Sequence, residues 1–208
     1  MTVSAQMVRK LREETGAGMM DCKGALVEAE GDQEKARDLL RTKGLAAAAK
    51  RAGRAASEGQ VAAYIHPGGR VGVLVELNCE TDFVAKTDDF ASLVKDVAMH
   101  IAAASPAAAR YISEEDVPSD VLDKEREIYK AQAKDQGKPE KIQDKIAEGK
   151  LKDYFKTYCL LEQPFIKEPK QTVGDLIQAK IAVIKENIVV GRFSRYRLGE
   201  GAEGSSAG

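Results

Sequence analysis

The sequence predicts an α+β fold in which a small antiparallel sheet is covered by helices. Residues 61–65 and 71–77 alternate apolar and polar side chains on either side of a glycine-bearing turn, as in a hairpin. Most of the remaining chain carries apolar residues at spacings of three and four, as in amphipathic helices. Two antiparallel strands followed by a helix give a sheet with one helical layer.

Composition limits the class of protein. The 208 residues are 43% hydrophobic and 31% charged, which suits one large domain or a medium domain with a small one. The formal net charge of −1 argues against a general nucleic-acid binder. There is no apolar run of bilayer length, and the first residues lack the features of a signal or transit peptide, so we expect no membrane association. The three cysteines are far apart, and a reducing cytoplasm is expected.

Three short helices are predicted in the first fifty residues. Ser4 and Asp32 are placed to cap the first and third helices, and Gly44 is expected to end the third. The apolar positions expected to pack together are Met7, Val8, Leu11, Met19, Cys22, Leu26 and Ala29. Because Met19 and Met20 are adjacent, we expect one to face the core and one to be available to a protein partner, the alternative being that both are partly buried.

The segment from residue 45 to 59 shifts to alanine, lysine, arginine and glycine, which is typical of a linker. It is predicted to begin as a helix and to become flexible at Gly53. Its basic cluster of Lys50, Arg51 and Arg54 is explained more simply as a solvated face than as an RNA contact. The predicted domains are therefore 1–54, for the three helices and linker, and 55–198, for the α+β core.

The sequence pattern in the second half of the chain predicts further helices and one strand near the end. Residues 119–136 and 139–160 are two charged segments with thin apolar stripes, expected to form an antiparallel helical hairpin projecting from the core. Thr172 is placed to cap another helix, and residues 187–198 predict a last strand. The glycine- and serine-rich tail, 199–208, is expected to be disordered.

The stretch from Asn78 to Lys86 joins the second hairpin strand to a helix predicted from Phe90 to about residue 104. In one interpretation Asp82 or Thr81 caps a helix and Phe83 enters the core. In the other, Phe83 is presented by a functional loop that is held by the scaffold on either side.

Motifs for covalent or metal chemistry are not recognised in the sequence. His66 and His100 lie outside any metal-ligand pattern, and no phosphate-binding glycine loop is present. A strand-end cysteine such as Cys79 is more often a small buried hydrophobe than a nucleophile. The residues favour an interaction protein over an enzyme, with no metal and no cofactor.

Two longer motifs resemble a known family. Residues 15–23, TGAGMMDCK, and residues 78–86, NCETDFVAK, are similar to the two signatures of the bacterial elongation factor Ts family. The shorter segments 137–139, 163–165 and 172–174 match in the same order, and the resemblance covers about residues 3–201. It implies an N-terminal ubiquitin-associated-like (UBA-like) domain and a guanine-nucleotide exchange factor for elongation factor Tu, which performs no covalent chemistry.

The resemblance also implies the contact residues. The residues expected to disturb the Mg²⁺ and phosphate site of elongation factor Tu are Asp82, Phe83, Val84 and Ala85. The residues expected to bind the partner through the N-terminal domain are Val8, Arg12, Met19 and Met20. Phe83 is the expected wedge. A different function, a passive adaptor or chaperone-like module using the three helices, would bind a partner without accelerating nucleotide release.

The chain departs from the long form of the family because it has a single hairpin, at 61–77. Short forms can supply the missing surface by dimerising, so a homodimer is expected. The last strand, residues 188–197, is expected at a sheet edge, where it can pair with a second copy. His66, on the hairpin turn, is then an expected contact from that second copy.

Overall fold

The N-terminal part consists of three helices, and the N-caps predicted for the first and the third are present. In the computed structural model, which describes residues 3–200, they are α1 (Ala5–Thr15), α2 (Met19–Glu28) and α3 (Gln33–Ala49). The Ser4 side chain accepts a hydrogen bond from the Met7 N–H at 3.2 Å, and the Asp32 carboxylate accepts from two N–H groups of the first turn of α3. The buried cluster among the helices contains Val8, Leu11, Cys22, Ala25, Leu26, Ala29 and Ala36.

The predicted end of the third helix at Gly44 is wrong, because α3 continues to Ala49. Four alanines follow Leu45, and alanine has the highest helix propensity, so the helix extends into the first part of the predicted linker, which was expected to begin as a helix. A side chain at Gly44 would place its Cβ 2.9 Å from the Cβ of Ala182. Gly44 therefore permits close helix packing rather than ending the helix.

The hairpin strands are β1 (Glu58–Ile65) and β2 (Val71–Cys79), and the last strand of the described chain is β5 (Ile188–Arg197). The sheet order is β1-β2-β5, so β5 lies at an edge. The hairpin turn is closed by the His66 N–H, which donates to the Val71 carbonyl at 2.9 Å. The buried side chains of β2 are Val73, Val75, Leu77 and Cys79. The expected antiparallel sheet and edge position are thus confirmed.

Helix α4 (Asp82–Ala85) and helix α5 (Asp88–Ala103) follow β2. The apolar side of α5 is buried through Phe90, Leu93, Val94, Val97 and Ile101, as the sequence predicts. His100 is also fully buried; it shares a 3.0 Å hydrogen bond with the Gln163 side chain.

The predicted helical hairpin consists of α6 (Ser119–Asp135) and α7 (Glu140–Tyr158). Arg126 pairs with Glu148 at 2.8 Å and Lys130 with Asp144 at 2.5 Å, so the helices run antiparallel. The buried side chains of these helices are few, namely Ala133, Ala147, Leu151 and Tyr154. The thin apolar interface expected from the sequence is confirmed.

The return segment contains two strands that the sequence did not predict, β3 (Pro164–Phe165) and β4 (Glu168–Thr172), which pair antiparallel. They precede α8 (Val173–Ile184), and the predicted cap is confirmed, since the Asp175 N–H donates to Thr172 Oγ1 at 3.0 Å. Within residues 3–200, no helix is long and apolar enough to cross a membrane.

The chain divides into two compact units that do not follow the order of the sequence. The first contains the residues up to Gln60 together with Glu76–Leu93 and Leu176–Gly191, and the second contains Val61–Val75, Val94–Asp175 and the chain from Arg192 onward. The domain boundary near residue 54 stays a prediction. The predicted disordered tail lies largely outside the described residues, since positions 201–208 are not among them.

Candidate functional site

Phe83 lies on the short helix α4, with 79% of its side chain exposed. Thr81 is the N-cap, and its Oγ1 accepts a hydrogen bond from the Val84 N–H at 3.4 Å, as one interpretation expected. The same interpretation placed Phe83 in the core, and that part is wrong. Ala85 and Phe90 take the buried positions on this segment. The large aromatic ring is therefore free of the core and available to a partner.

Helix α4 is held at both ends by bonds to distant parts of the chain. The Glu186 carboxylate accepts from the Thr81 N–H at 3.0 Å and from the Thr81 hydroxyl at 2.7 Å. At the other end, Gln60 Nε2 donates to the Ala85 carbonyl at 2.5 Å. A four-residue helix is unstable by itself, so these bonds fix the direction in which Phe83 points.

Asp82 is half exposed and carries its charge next to Phe83. Its Oδ2 accepts from Lys86 Nζ at 2.7 Å, and this hydrogen bond lowers the pKa of the Asp82 carboxyl below its usual value. Val84 is half buried and Ala85 is 7% exposed. Of the four predicted residues, Phe83 alone is exposed as a whole, Asp82 and Val84 are partly exposed, and Ala85 is buried.

The N-terminal candidates differ in exposure. Met19 and Met20 are 54% and 74% exposed, so the expectation that one of them faces the core is wrong. Both lie in the first turn of α2, and the buried residues of this helix, Cys22, Ala25 and Leu26, lie further along it. Arg12 is exposed, whereas Val8 is 6% exposed and belongs to the core cluster of the three helices. Val8 is thus a core residue and presents little surface to a partner.

His66 lies on the exposed turn of the β1–β2 hairpin. Its Nδ1 is 3.2 Å from the Tyr64 hydroxyl, and the two rings are tilted with centroids 6.2 Å apart. The contact with Tyr64 restrains the imidazole while leaving it accessible.

The basic cluster of the predicted linker is largely engaged within the protein. Arg51 donates through Nε to the Lys185 carbonyl at 3.0 Å and through Nη1 to the Ala47 carbonyl at 2.8 Å. Arg54 forms an ion pair with Glu80 at 3.6 Å. Two of the three cations thus have structural partners.

The buried thiols are poorly suited to chemistry. Cys79 is fully buried, its Sγ donates to the Thr81 carbonyl at 3.2 Å, and burial raises its thiol pKa. Burial also raises the pKa of Cys159 to about 12. Because the thiolate is the reactive form, these groups are inert at neutral pH. Over residues 3–200, His, Cys, Asp and Glu side chains do not gather in any group of three able to hold a metal ion.

The outer face of the sheet exposes several large apolar side chains. Val61 is 68% exposed, Ile65 64% and Leu74 50%. A Cβ at Gly72 would lie 3.1 Å from Ile65 Cδ1, which places Ile65 on the side of the sheet that carries Leu74. The alternation of apolar and polar residues on β1 was predicted, but its apolar side chains face solvent and not the core.

Sequence reasoning missed the residues that position α4, above all Glu186 and Asn187. Asn187 is 3% exposed; its backbone N–H donates to Glu80 Oε1 at 2.6 Å. The local signal was limited to two polar residues, Glu186 before the predicted last strand and Asn187 at its predicted start. That pattern also fits an ordinary solvated turn.

Comparison with known proteins gives a consistent result over nearly the whole chain. A family model described as Elongation factor TS matches residues 27–200. Elongation factor Ts of Thermoanaerobacter sp. (strain X514) is 62% identical over 204 residues, covering 98% of each chain. That of Carboxydothermus hydrogenoformans is 63% identical over 199 residues, covering 96% of this chain and 90% of the relative. Because the family model spans most of the chain and these relatives are more than 60% identical over nearly all of it, the chain belongs to the elongation factor Ts family.

Proposed function

We propose that this protein is a guanine-nucleotide exchange factor that binds elongation factor Tu and promotes release of GDP during translation elongation. Family membership supports the partner and the process. The observation that carries the mechanism is the exposed ring of Phe83 on a helix held at both ends. An apolar ring in a fixed orientation outside the core is suited to insertion into another protein.

The mechanism is one of linked binding and needs no covalent chemistry. A GTPase holds its nucleotide through phosphate-loop donors and Mg²⁺. A factor that binds the nucleotide-free state more tightly than the loaded state must weaken nucleotide binding by the same factor. In this proposal Phe83 inserts between elements of the partner that support the Mg²⁺ site. Asp82, kept ionised by Lys86, adds a negative charge that competes for groups near the metal.

The N-terminal helices supply a second contact in this proposal. Arg12, Met19 and Met20 form its accessible part, whereas Val8 is buried in the core cluster of the three helices. Exposed methionines adapt their shape to a partner at low cost, which suits a docking surface more than a reacting centre. Docking there would bring Phe83 repeatedly to the same place on the partner.

We further propose that two copies of the chain associate through the sheet. The edge strand β5 and the uncovered side chains of Val61, Ile65 and Leu74 support this arrangement. A second copy would cover the apolar face and bring its His66 toward the partner. Light scattering should give a dimer mass at micromolar concentration, and Leu74→Arg should shift it toward the monomer. A monomeric mass with full exchange activity would contradict this assembly.

The wedge is tested by release of fluorescent GDP from elongation factor Tu. Phe83→Ala should lower the factor-dependent release rate by about 10- to 100-fold, since a central aromatic anchor typically contributes ~2 kcal/mol or more. The free energy of unfolding should change by less than ~0.5 kcal/mol, because the ring is outside the core. Ile142→Ala removes an apolar side chain that is 41% exposed on α7 and is the matched control. Undiminished release by Phe83→Ala would refute the wedge, and binding without accelerated release would favour a passive adaptor.

A further inference from the structure

Three consecutive residues, Lys185, Glu186 and Asn187, form the turn between α8 and β5, here called the 185–187 turn. Lys185 has a φ of 68°, in the left-handed region that residues with a side chain rarely adopt. Glu186 is partly buried and Asn187 is 3% exposed. Buried polar side chains require hydrogen-bond partners, and the partners of the 185–187 turn lie in two different parts of the chain.

On one side the turn holds the start of the Phe83 helix. Both Glu186 carboxylate oxygens accept hydrogen bonds from Thr81, at 3.0 Å from its N–H and 2.7 Å from its hydroxyl. The Asn187 N–H donates to Glu80 Oε1 at 2.6 Å. Because Thr81 is the N-cap of α4, these bonds set the point from which the helix begins.

On the other side the same turn holds the N-terminal helices and the segment that follows them. Arg51 Nε donates to the Lys185 carbonyl at 3.0 Å, and Asn187 Nδ2 donates to the Arg54 carbonyl at 2.8 Å. Lys185 Nζ also pairs with Asp21 on α2 at 3.1 Å. Each residue of the turn therefore has a bond, through its side chain or its backbone, to the segment that carries Phe83, to the N-terminal helices and the segment after them, or to both.

These bonds differ in strength. The Lys185–Asp21 pair is more than half exposed on both sides, so water and salt screen it and it contributes little. The Glu186 bonds are charge-assisted and partly buried, and those of Asn187 involve a buried residue, so they matter more. Close packing adds to them, since a Cβ on Gly44 would lie only 2.9 Å from Ala182 near the end of α8.

We propose that the 185–187 turn is a positioning element that holds the Phe83 helix and the N-terminal contact surface in a fixed arrangement. The effect of the turn on nucleotide release rests on the proposed function, but the immobilisation of α4 can be measured without the partner. When one contact has formed, a rigid connection raises the effective concentration of the other at its own site. A wedge must also enter at the correct angle, and a loosened helix would approach the partner in many unproductive orientations.

The local part is tested by fluorescence. The chain contains no tryptophan, so the indole of a Phe83→Trp variant is the sole reporter of its kind. In that background Glu186→Gln should at least double the amplitude of the fast depolarisation, since an amide oxygen cannot replace both carboxylate bonds to Thr81. Lys180→Ala is the matched control, because it removes a 2.9 Å ion pair with Asp89 from the same helix, α8. Equal depolarisation in all three proteins would overturn the proposal.

The functional part is tested by GDP release, with otherwise unsubstituted protein and elongation factor Tu. Glu186→Gln should lower the maximal release rate by about fivefold or more, because the wedge is misdirected. Arg51→Ala should mainly raise the concentration needed for half-maximal release, by about threefold or more, because the docking surface is no longer aligned with the wedge. Lys180→Ala should change neither value by more than about twofold.

Two further variants keep the outcome decisive. If Glu186→Gln fails to fold, as judged by its thermal melt, Thr81→Val removes the hydroxyl that donates to Glu186 and also accepts the cap bond from the Val84 N–H. This variant should lower the maximal rate in the same sense, and an unchanged rate would contradict the positioning role. If Phe83→Ala leaves release intact, the proposed wedge fails, while the fluorescence result still decides whether the turn immobilises α4. If Phe83→Ala lowers release but both Glu186→Gln and Thr81→Val leave rate and depolarisation unchanged, the wedge stands and the positioning role of the turn is wrong.

Discussion

The Phe83 helix and the α6–α7 hairpin both expose large apolar side chains, but they are stabilised in different ways. Helix α4 has four residues and depends on Glu186, which is 105 positions from Thr81. The hairpin helices have 17 and 19 residues and are joined by exposed ion pairs such as that of Arg126 with Glu148. A few partly buried long-range bonds fix the first, whereas many exposed contacts between neighbouring helices support the second.

This difference predicts how each region responds to the loss of one bond. When a buried polar group loses its partner, the remaining group stays out of water, so a single substitution is costly. When an exposed ion pair is lost, water replaces it and the cost is small. We therefore expect α4 to be held in one position but to be sensitive to the loss of a single bond. The hairpin should tolerate the loss of a single ion pair.

The largest expected effect on stability is that of Asn187→Ala. It removes a side chain that is 3% exposed and donates to the Arg54 carbonyl at 2.8 Å, so both its packing and its hydrogen bond are lost, and the free energy of unfolding should fall by about 1–3 kcal/mol. Gln143→Ala in the hairpin is the matched control, because its amide donates to the Lys138 carbonyl at 2.9 Å in an exposed setting. The control should cost less than ~0.5 kcal/mol in urea denaturation. Equal losses in the two variants would remove the distinction between the regions.

An intermediate effect is expected at His100, which also forms a buried long-range contact. The Ile166 N–H donates to its Nδ1 at 3.3 Å, so Nε2 carries the proton donated to Gln163. Burial lowers the pKa of His100, an effect only partly opposed by the bond to Gln163. The folded state therefore favours the neutral ring, and its contribution to stability is present above the unfolded pKa of about 6.5 and is lost as pH falls below it.

Urea denaturation between pH 7.5 and pH 5 tests this sign. Below pH ~6.5 the wild type should lose up to about 1.4 kcal/mol per pH unit from this group. His100→Gln should be less sensitive to acid over the same range, although it is less stable at neutral pH. Parallel pH profiles for the two proteins would show that His100 does not titrate in this way.

The smallest effect is expected in the hairpin. Arg126→Ala removes pairs with Asp123 at 2.7 Å and Glu148 at 2.8 Å and should cost about 0–1 kcal/mol. The loss should shrink further in 0.5 M salt, where the Debye length is only a few ångströms. A loss above ~2 kcal/mol, or one that does not depend on salt, would mean that the hairpin is as sensitive as α4.

Local patterns predicted much of the fold. The caps at Ser4, Asp32 and Thr172 and the burial of Leu11 and Leu26 depend on residues a few positions apart, and all are present. Gly44 was misinterpreted because its role comes from Ala182, far away in the sequence. The pair β3–β4 was missed because its strands are too short to show alternation.

The candidate site illustrates the same limit. A four-residue helix carries no periodicity, so spacing alone could not decide whether Phe83 is buried or exposed. The bonds that settle its position come from Gln60 and Glu186, on separate parts of the chain. The family resemblance directed attention to Phe83, but neither it nor any local pattern predicted that Glu186 would hold the helix.

The exposure of Phe83 has a consequence for the cell. A substitution there should leave the folded population nearly unchanged, so proteases and chaperones that remove unfolded chains would not distinguish the variant. If Phe83 is the proposed wedge, the variant would persist at normal abundance and keep its N-terminal docking surface. In a mixed population it would then compete with intact copies for the same partner, so its effect would exceed that of simply having fewer active copies.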